Sequence, residues 1–303
     1  MKRLGVFVII VFLFFSCQDD TDDKNNYGNI SINGNLFNSW IEAVKIIKNG
    51  GNNKTYIIVI NGDIPVPPSD NDSPTFGFVN DLNITIEGEG RIYLTDNGCL
   101  FWLGSNGLKE RQTLILNSSI ILEGLSPNGN GNKYNKSPII VINDNSYFDM
   151  RNGIIKGNTI YGAINSGGVN VHRGGKFTMS GGAISGNIST TYSGGVWVSG
   201  TFIMSGGIIS GNKASIGGGI YINGEDALFT KTNGIIYGND ASIESNKNIS
   251  TVTSEQFGNY GHAVFYVKDD SHQYYCNTTL DNEQNISTSI LPHINEQSNW
   301  IKK

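Results

Sequence analysis

Charged residues are scarce in this sequence. They make up 16% of the chain, whereas about 25% is usual in soluble domains. The formal net charge at pH 7 is -5, and Lys and Arg form no dense cluster outside residues 1–3. Proteins that bind nucleic acids usually carry a basic patch or stripe. We therefore expect no nucleic-acid partner.

Cysteine is scarce as well, with three residues in the chain, Cys17, Cys99 and Cys276. Cys17 is considered below with the amino-terminal segment. Cys99 and Cys276 lie far apart in the chain, so we expect two buried thiols and no bridge, although an exported compartment would permit one.

The amino-terminal residues predict export. Lys2 and Arg3 precede an apolar run over residues 4–15, which is shorter than the ~20 residues of a membrane-spanning helix but suits a secretory signal. The following letters, FFSC, end at Cys17 and resemble a bacterial lipobox. The resemblance implies a signal peptide over residues 1–16 and acylation of Cys17, which would anchor the protein to a membrane. The alternative is an ordinary signal peptide with a chance cysteine.

The stretch QDDTDDKNN follows Cys17 directly. It is acidic and lacks apolar residues, so it cannot contribute to a core, and residues 17–30 are predicted to be a solvated tether. Aspartates so close to a lipidated cysteine resemble the surface-export signal of Bacteroidetes lipoproteins. That resemblance implies a lipid-anchored protein on the outer face of the outer membrane, whereas the alternative is a spacer without a sorting role.

Glycine, in contrast, is abundant, with 39 of the 303 residues, or about 13% against a usual ~7%. Glycine pairs interrupt every run before a helix could complete two turns, which excludes helical repeats. MSGGAISGN at Met179 and MSGGIISGN at Met204 belong to a phrase that occurs four times and closes 25 to 29 residues apart. Such a period is typical of a solenoid. The phrase opens at Phe148, Phe177, Phe202 and Phe229, continues with Met150, Met179, Met204 and Lys231, then with Ile155, Ile184, Ile209 and Ile236, and closes at Asn158, Asn187, Asn212 and Asn239.

Each copy of the repeat is predicted to be one coil of about three short strands. Phe and Met two residues apart follow the alternation of a strand that buries one face. Gly-Asn and Ser-Gly-Gly suit the corners, because these residues accept the positive φ of sharp turns. A second strand in each copy has the inward pairs Ile140 and Ile142, Val169 and Val171, Val196 and Val198, and Ile220 and Ile222.

Stacked coils lie ~4.8 Å apart, so equivalent side chains form columns, and the Asn column can form an amide ladder. This pattern resembles the right-handed parallel β-helix family, also called pectate-lyase-like, and especially the "SGGxISGN" surface proteins of spirochetes and Bacteroidetes. The resemblance covers residues 139 to about 240. It implies an all-β, right-handed parallel β-helix and leaves the activity open.

Weaker coils extend the prediction to residues 56–276, roughly eight coils in a rod of about 40 Å. TLILNSSIIL at Thr113 is assigned with Leu114, Leu116 and Ile121 inward, and further strands are predicted at Asn83, Cys99 and His262. At Lys231, which occupies a methionine position, either the amine reaches out to solvent or the register slips.

Both ends of the rod need caps. Residues 31–55 are predicted to contain an amphipathic helix with Trp40, Val44 and Ile47 on one face, an N-cap at Asn38 or Ser39, and a stop at Gly50. Residues 277–303 lose the repeat and are predicted to form the other cap, in which we expect Ile290, Leu291, Ile294 and Trp300 to fold over the far end.

Enzymes of this family gather carboxylates and a basic residue, often with calcium, on one face of the coil. Here no two carboxylates occupy matching positions of neighbouring coils. The densest polar set, Asp269, Asp270 and His272 with His262 nearby, fits an exposed turn better than an acid-base site. The calcium-binding nonapeptide is absent from the sequence, and we expect no metal site and no cofactor.

A binding surface is predicted on the second strand. Asn170, Trp197 and Tyr221 take the outward position on successive coils, and His172, Ser199 and Asn223 take the next one. Trp197 and Tyr221 would then form a solvent-facing ladder for sugar rings, with Asn170 and His172 as flanking groups. The alternative is that the aromatic rings only stabilise the sheet.

These expectations describe a non-catalytic bacterial surface lipoprotein with a structural, adhesive or glycan-binding role. Its partners would be the membrane, through the lipid anchor, and a glycan or a component of a host or neighbouring cell surface. The role rests on the family resemblance, because a fold does not fix a function. The alternative is a polysaccharide lyase or glycoside hydrolase of the same architecture.

Overall fold

The computed structural model describes residues 29–67, 74–105, 110–162, 165–251, 261–269, 272–288 and 300–302. The predicted signal peptide, Cys17 and residues 18–28 of the predicted tether lie outside these ranges, as do Asp270, Ile290, Leu291 and Ile294. Within them the protein is all-β, and its strands wind into a parallel β-solenoid of about six turns. The predicted fold class is confirmed.

The described residues form short strands together with one α-helix and one short 3-10 helix. In chain order they are β1 (Asn29–Ile32), β2 (Asn35–Phe37), α1 (Trp40–Asn49), β3 (Thr55–Val66), β4 (Leu82–Leu94), β5 (Phe101–Leu103), β6 (Gln112–Leu116), β7 (Ile121–Glu123), β8 (Ile140–Ile142), β9 (Tyr147–Met150), β10 (Ile154–Lys156), β11 (Thr159–Ile160), β12 (Val169–Val171), β13 (Lys176–Met179), β14 (Ala183–Ser185), β15 (Ile188–Ser189), β16 (Val196–Val198), β17 (Thr201–Ser210), β18 (Lys213–Ala214), β19 (Ile220–Asn223), β20 (Leu228–Ile236), the 3-10 helix Glu244–Asn246, β21 (Ile249–Ser250), β22 (Val264–Asp269), β23 (His272–Cys276), β24 (Ile286–Ser287) and β25 (Trp300–Lys302).

Four successive coils pass through three sheets in turn. The first sheet contains β5, β8, β12, β16, β19 and β22, all paired in parallel with their neighbours. The second sheet runs from β3 to β20 through two strand segments per coil, such as β13 and β14. The third sheet contains β11, β15, β18 and β21. The inward faces of the coils enclose one continuous apolar core.

The predicted columns are present in register. Phe148, Phe177, Phe202 and Phe229 lie one above the other, with ring centroids 5.1, 4.6 and 5.3 Å apart. The inward pairs of the first sheet align in the same way and are fully buried or nearly so. Stacking identical side chains at the spacing of hydrogen-bonded strands lets each coil fill its core with the same shapes as the next coil.

The asparagine column is present, with one correction at its end. Asn158, Asn187 and Asn212 are fully buried, and each of the first two donates its backbone N–H to the side-chain oxygen of the next. Asn239, the predicted fourth member, is exposed. Asn248 takes its place, since its Oδ1 accepts both the N–H and the Nδ2 of Asn212. The chain makes an additional excursion over residues 237–247 before it returns to the column.

The predicted register at the start of the repeat is wrong for one residue. Ile121 pairs with Ile154 on the outward side of the second sheet, whereas Leu122 pairs with the buried Ile155. Ile120 and Leu122 point inward instead, because the turn after β6 is one residue longer than the equivalent turns of the later coils: Leu116 and Leu122 are six residues apart, whereas Met150 and Ile155 are five apart.

The solenoid also has about six turns where roughly eight were predicted. Residues 124–139 form a long connection between β7 and β8. At the ends, β1 pairs with β3, and β23 with β22, in antiparallel fashion. Residues that were counted as further coils therefore belong to connections and to closing strands.

The amino-terminal end is closed by α1, as predicted. Ser39 is the N-cap, and its hydroxyl accepts the N–H of Glu42 at 3.3 Å. Trp40 lies in the buried face of the helix and meets Phe101 of the core edge-on at a centroid distance of 5.7 Å. Among the described residues, no helix combines the length and apolarity needed to span a bilayer.

At the other end, the carboxyl-terminal segment buries Lys231. The register holds, because Lys231 lies beside Met204, and the side chain is 0% exposed. Both predicted explanations are therefore wrong. Its ammonium donates hydrogen bonds to the backbone carbonyls of Asp281 and Gln284, next to the antiparallel pair of β20 and β24. Burial lowers the pKa of the Lys231 amine, and the charge of Asp281 offsets part of this effect.

Cys99 and Cys276 are buried free thiols, as predicted. Burial raises the pKa of Cys99 to about 12 and that of Cys276 to about 11. Both thiols are therefore protonated and poorly reactive at neutral pH.

The asparagine column yields a matched pair of substitutions. Asn212→Ala leaves the N–H of Asn187 and the carbonyl of Ile184 without their partners inside the core. Since a buried unsatisfied group costs roughly 1–3 kcal/mol, we expect a loss of about 2–5 kcal/mol in the free energy of unfolding. Asn239→Ala, at the equivalent repeat position but exposed, should change it by less than about 0.5 kcal/mol. Equilibrium denaturation measures both, and equal losses would contradict the revised column.

Lys231 predicts a pH dependence of stability. Because its folded-state pKa lies below 10.5, the unfolded chain binds more protons between the lowered pKa and 10.5. Stability therefore rises with pH in that window. The neutral amine also retains two N–H groups for the two carbonyls. We expect the free energy of unfolding of the wild type to increase relative to that of Lys231→Met between neutral pH and about pH 10. A constant difference would contradict the buried ammonium.

Candidate functional site

The predicted binding surface lies on the outward side of the first sheet. Asn170, Trp197 and Tyr221 occupy neighbouring positions in one column, as the sequence indicated. The expected exposure is wrong for two of them, because Asn170 is 0% and Tyr221 only 7% exposed. Trp197 and His172 are half-buried.

Connections between the third and first sheets cover this column. Asn165 and Ser166 fold back over Asn170 and hydrogen-bond to both ends of its side-chain amide. The Oδ1 of Asn170 accepts the N–H of Ser166, and its Nδ2 donates to the side-chain oxygen of Asn165. Tyr192 lies against Tyr221 at a centroid distance of 4.7 Å. The amide of Asn170 and much of the Tyr221 ring are consequently engaged within the protein.

His172 and Trp197 form the more open part of the column. Their rings meet edge-on with centroids 5.8 Å apart. Burial lowers the pKa of His172, so its imidazole is neutral at pH 7. The indole Nε1 of Trp197 is buried and has no hydrogen-bond acceptor among the described residues. The pair packs as an aromatic unit and offers few polar groups to a ligand.

An exposed aromatic pair lies elsewhere, on two connections that lead to the first sheet. Tyr134 is 51% and Tyr161 64% exposed, and their ring centroids are 5.3 Å apart at an interplanar angle of 41°. A parallel bridge between Asn135 and Ile160 holds the two connections together. The N–H of Tyr161 donates to the carbonyl of Asn135, which fixes the two tyrosines on neighbouring coils.

Polar groups lie next to this pair, which we name the tyrosine platform (Tyr134 and Tyr161). Lys136 is exposed and follows Asn135 directly. The hydroxyl of Thr190, on the next coil, accepts the N–H of Gly162. The two rings are thus accompanied by an exposed lysine two residues after Tyr134 and by a hydroxyl that is bonded to the residue after Tyr161.

The repeat could not reveal the platform. Tyr134 belongs to the long connection 124–139, and Tyr161 follows directly after β11, so neither belongs to a strand with alternating polarity. The only sequence signal was one aromatic residue in each of two short segments outside the repeated phrase, KYNK and IYGAIN. Their proximity depends on stacking of the coils.

A polar network lies on the outward face of the second sheet. Tyr147 and Thr178 share a hydrogen bond of 2.6 Å between their hydroxyls, and Thr178 donates to Asp149 at 2.7 Å. Arg151 forms an ion pair with the same carboxylate at 2.7 Å. The ammonium of Lys176 lies 5.3 Å from the centre of the Tyr147 ring. Tyr147, Thr178, Asp149 and Arg151 are thus all partnered within the network, which is typical of a structural network on a sheet.

A groove of about 590 Å³ follows the turns between the first and second sheets. Gly174, Ser199 and Gly200 contribute to its lining, and Asp144 adds a carboxylate. Arg173 and Asp226 form an ion pair that crosses the intervening coil, although both side chains are largely exposed. Exposed pairs of this kind contribute little to stability.

The structure describes only part of the polar set near the carboxyl terminus, because Asp270 lies outside the described residues. Asp269 and His272 are paired across the hairpin of β22 and β23. His262 is 5% exposed, and its Nδ1 accepts the N–H of Ser250. Over the ranges that the structure describes, no three His, Cys, Asp or Glu side chains are grouped so as to hold a metal ion.

Comparison of the chain with models of protein families, with curated proteins and with solved structures found no match. Inference about function therefore depends on the geometry of the chain's own surface.

Tyr221 and Tyr161 provide a test of which aromatic residues are structural. Tyr221→Ala removes a buried ring and should lower the free energy of unfolding by about 3–5 kcal/mol, as for other large aromatic residues. Tyr161→Ala removes an exposed ring and should change it by less than about 0.5 kcal/mol. Chemical denaturation measures the free energy of unfolding of both variants. If Tyr221→Ala left it unchanged, Tyr221 would not be a structural residue and would again be a candidate for the binding surface.

Proposed function

We propose that this protein is a non-catalytic, surface-anchored rod that binds a glycan through the tyrosine platform. Acylated Cys17 would tether the chain to the outer membrane, and the solenoid would project the platform from it. The observation that carries the proposal is the pairing of two highly exposed tyrosines on adjacent coils. Residues 1–17 contribute only through their sequence.

The platform has the chemistry of a carbohydrate subsite. Sugar rings combine apolar C–H faces with polar edges, and aromatic side chains bind the apolar faces. Tyr134 and Tyr161 each expose more than half of their surface, so their rings remain available after folding. Two tilted rings form a shallow cradle, in which Lys136 and Thr190 can hydrogen-bond sugar hydroxyls.

The solenoid supplies rigidity to this subsite. Asn135, next to Tyr134, and Asn158, in the turn just before β11, are fully buried, and the amide of Asn135 donates to Asn158 at 2.9 Å. Asn158 is in turn the first member of the asparagine column. The connections that carry the tyrosines are thus fixed to the core, and little ordering is required on binding.

A glycan array tests the proposal, with the acylated protein in detergent micelles as the probe. If each ring contributes about 1 kcal/mol, the double variant Tyr134→Ala with Tyr161→Ala should bind roughly 30-fold more weakly than the wild type. Phe78→Ala is the matched control, because Phe78 is 59% exposed and belongs to neither tyrosine connection.

Three outcomes would contradict the proposal. One is the absence of binding to any glycan, and another is equal binding by the wild type and the double variant. The third is depolymerisation of a bound polysaccharide by the wild type, which would identify an enzyme instead.

A further inference from the structure

The amino-terminal cap carries an unusual density of exposed apolar side chains. Leu36 is 75%, Ile41 61% and Ile46 48% exposed. Phe78, at 59%, is adjacent to Gly77, whose backbone lies against the side chain of Lys48. Together with Lys45 and Lys48, these residues form what we name the cap patch (Leu36, Ile41, Lys45, Ile46, Lys48 and Phe78).

Packing of α1 directs part of this patch away from the core. Trp40, Ala43, Val44 and Ile47 are buried against the solenoid. Helical geometry places Lys45 on the opposite face, between Ile41 on one side and Ile46 on the other. Because α1 closes the end of the core, its opposite face points away from the rod.

The patch combines apolar side chains with cations. Lys45 and Lys48 are both exposed, whereas the carboxylate of Glu42 accepts the N–H of Asn38 at the start of the helix. Apolar residues interspersed with lysines are the composition of helices that lie in the interface of anionic lipid bilayers.

The chain outside the structure limits where this end can lie. Eleven residues, 18–28, separate Cys17 from Asn29, the first residue of β1. Even fully extended, they span at most about 40 Å. β1 pairs with β3 and contacts α1, so the tether from an acylated Cys17 joins the rod at its capped end, and this end is the one connected directly to the membrane anchor.

From these observations we infer that the cap patch docks onto an anionic phospholipid surface and stands the rod on its amino-terminal end. The inference rests on the proposed acylation of Cys17. In this orientation, Ile41 and Ile46 enter the interface, and Lys45 and Lys48 contact lipid phosphates. The tyrosine platform lies on the side of the rod and remains accessible.

Two isoleucines of nearly equal exposure allow a matched test. Ile41 is 61% exposed on the cap, and Ile243 is 58% exposed near the last coils. Each is replaced by cysteine in the acylated protein and labelled with a polarity-sensitive dye. Cys99 and Cys276 are buried and so escape the reagent, and acylated Cys17 has no thiol.

The labelled proteins are reconstituted into vesicles of zwitterionic and anionic phospholipids. We expect the dye at position 41 to shift to the blue and to be quenched by lipid-borne quenchers, and the dye at position 243 to behave as in detergent-free buffer. Equal shifts at both positions would mean that the rod lies flat, and no shift at either would mean that the cap stays in water. Either result overturns the docking. A concentration-dependent shift at position 41 without vesicles would identify a second copy as the occupant instead.

Charge and anchor variants separate the two proposals. In the double variant Lys45→Glu with Lys48→Glu, the fraction of protein docked on the vesicles should fall roughly fivefold or more for each lysine that is replaced. Lys213→Glu replaces an exposed lysine of the third sheet and should have no effect. If the protein with the wild-type Cys17 fails to co-sediment with vesicles and Cys17→Ser behaves identically, the anchor itself is wrong. If the wild type sediments and Cys17→Ser does not, but position 41 shows no shift, only the docking is wrong.

Discussion

In-register stacking of coils is the constraint on which the rest of this structure depends. Parallel strands of neighbouring coils place each side chain one strand spacing from its equivalent in the next coil, so a core position filled by Phe177 demands a similar shape above and below it. The corners are equally restricted. A Cβ at Gly206 would lie 2.2 Å from the carbonyl oxygen of Ser180, and this close approach of backbone to backbone requires glycine. The same residues therefore recur in the sequence because the same geometry recurs in each coil.

The asparagine column shows how in-register stacking also provides hydrogen bonds for the backbone at the corners of the coils. Each turn from the second to the third sheet leaves backbone groups inside the protein, where an unpaired donor or acceptor is costly. The side-chain oxygen of one asparagine accepts the N–H of the asparagine on the preceding coil, and the amide nitrogen of Asn212 donates to Ile184. A single residue type at one position satisfies groups on two coils, and the ladder extends with the rod.

Much of the fold could be predicted from the sequence because core and corner residues follow strict spacing. The columns that begin at Phe148 and Val169 needed only alternation and period. Prediction failed where the number of residues between elements changes. The turn before Ile121 is one residue longer than its equivalents in the later coils, and Asn248 replaces Asn239 after an excursion. Lys231 could not be interpreted because the segment that supplies its hydrogen-bond acceptors, at Asp281 and Gln284, lies some fifty residues further along the chain.

The candidate site illustrates the same limit from the functional side. Alternation predicts that Tyr221 points outward, but it cannot predict that Tyr192 from a connection lies over the ring. Conversely, Tyr134 and Tyr161 belong to connections, where no periodicity exists, and stacking of the coils brings them together. Strands in this architecture must conserve shape from coil to coil, whereas connections are free to vary in length and composition without disturbing the core. Binding groups particular to this rod are therefore expected on the connections and caps, and that is where its exposed aromatic pair and its apolar, cationic patch lie.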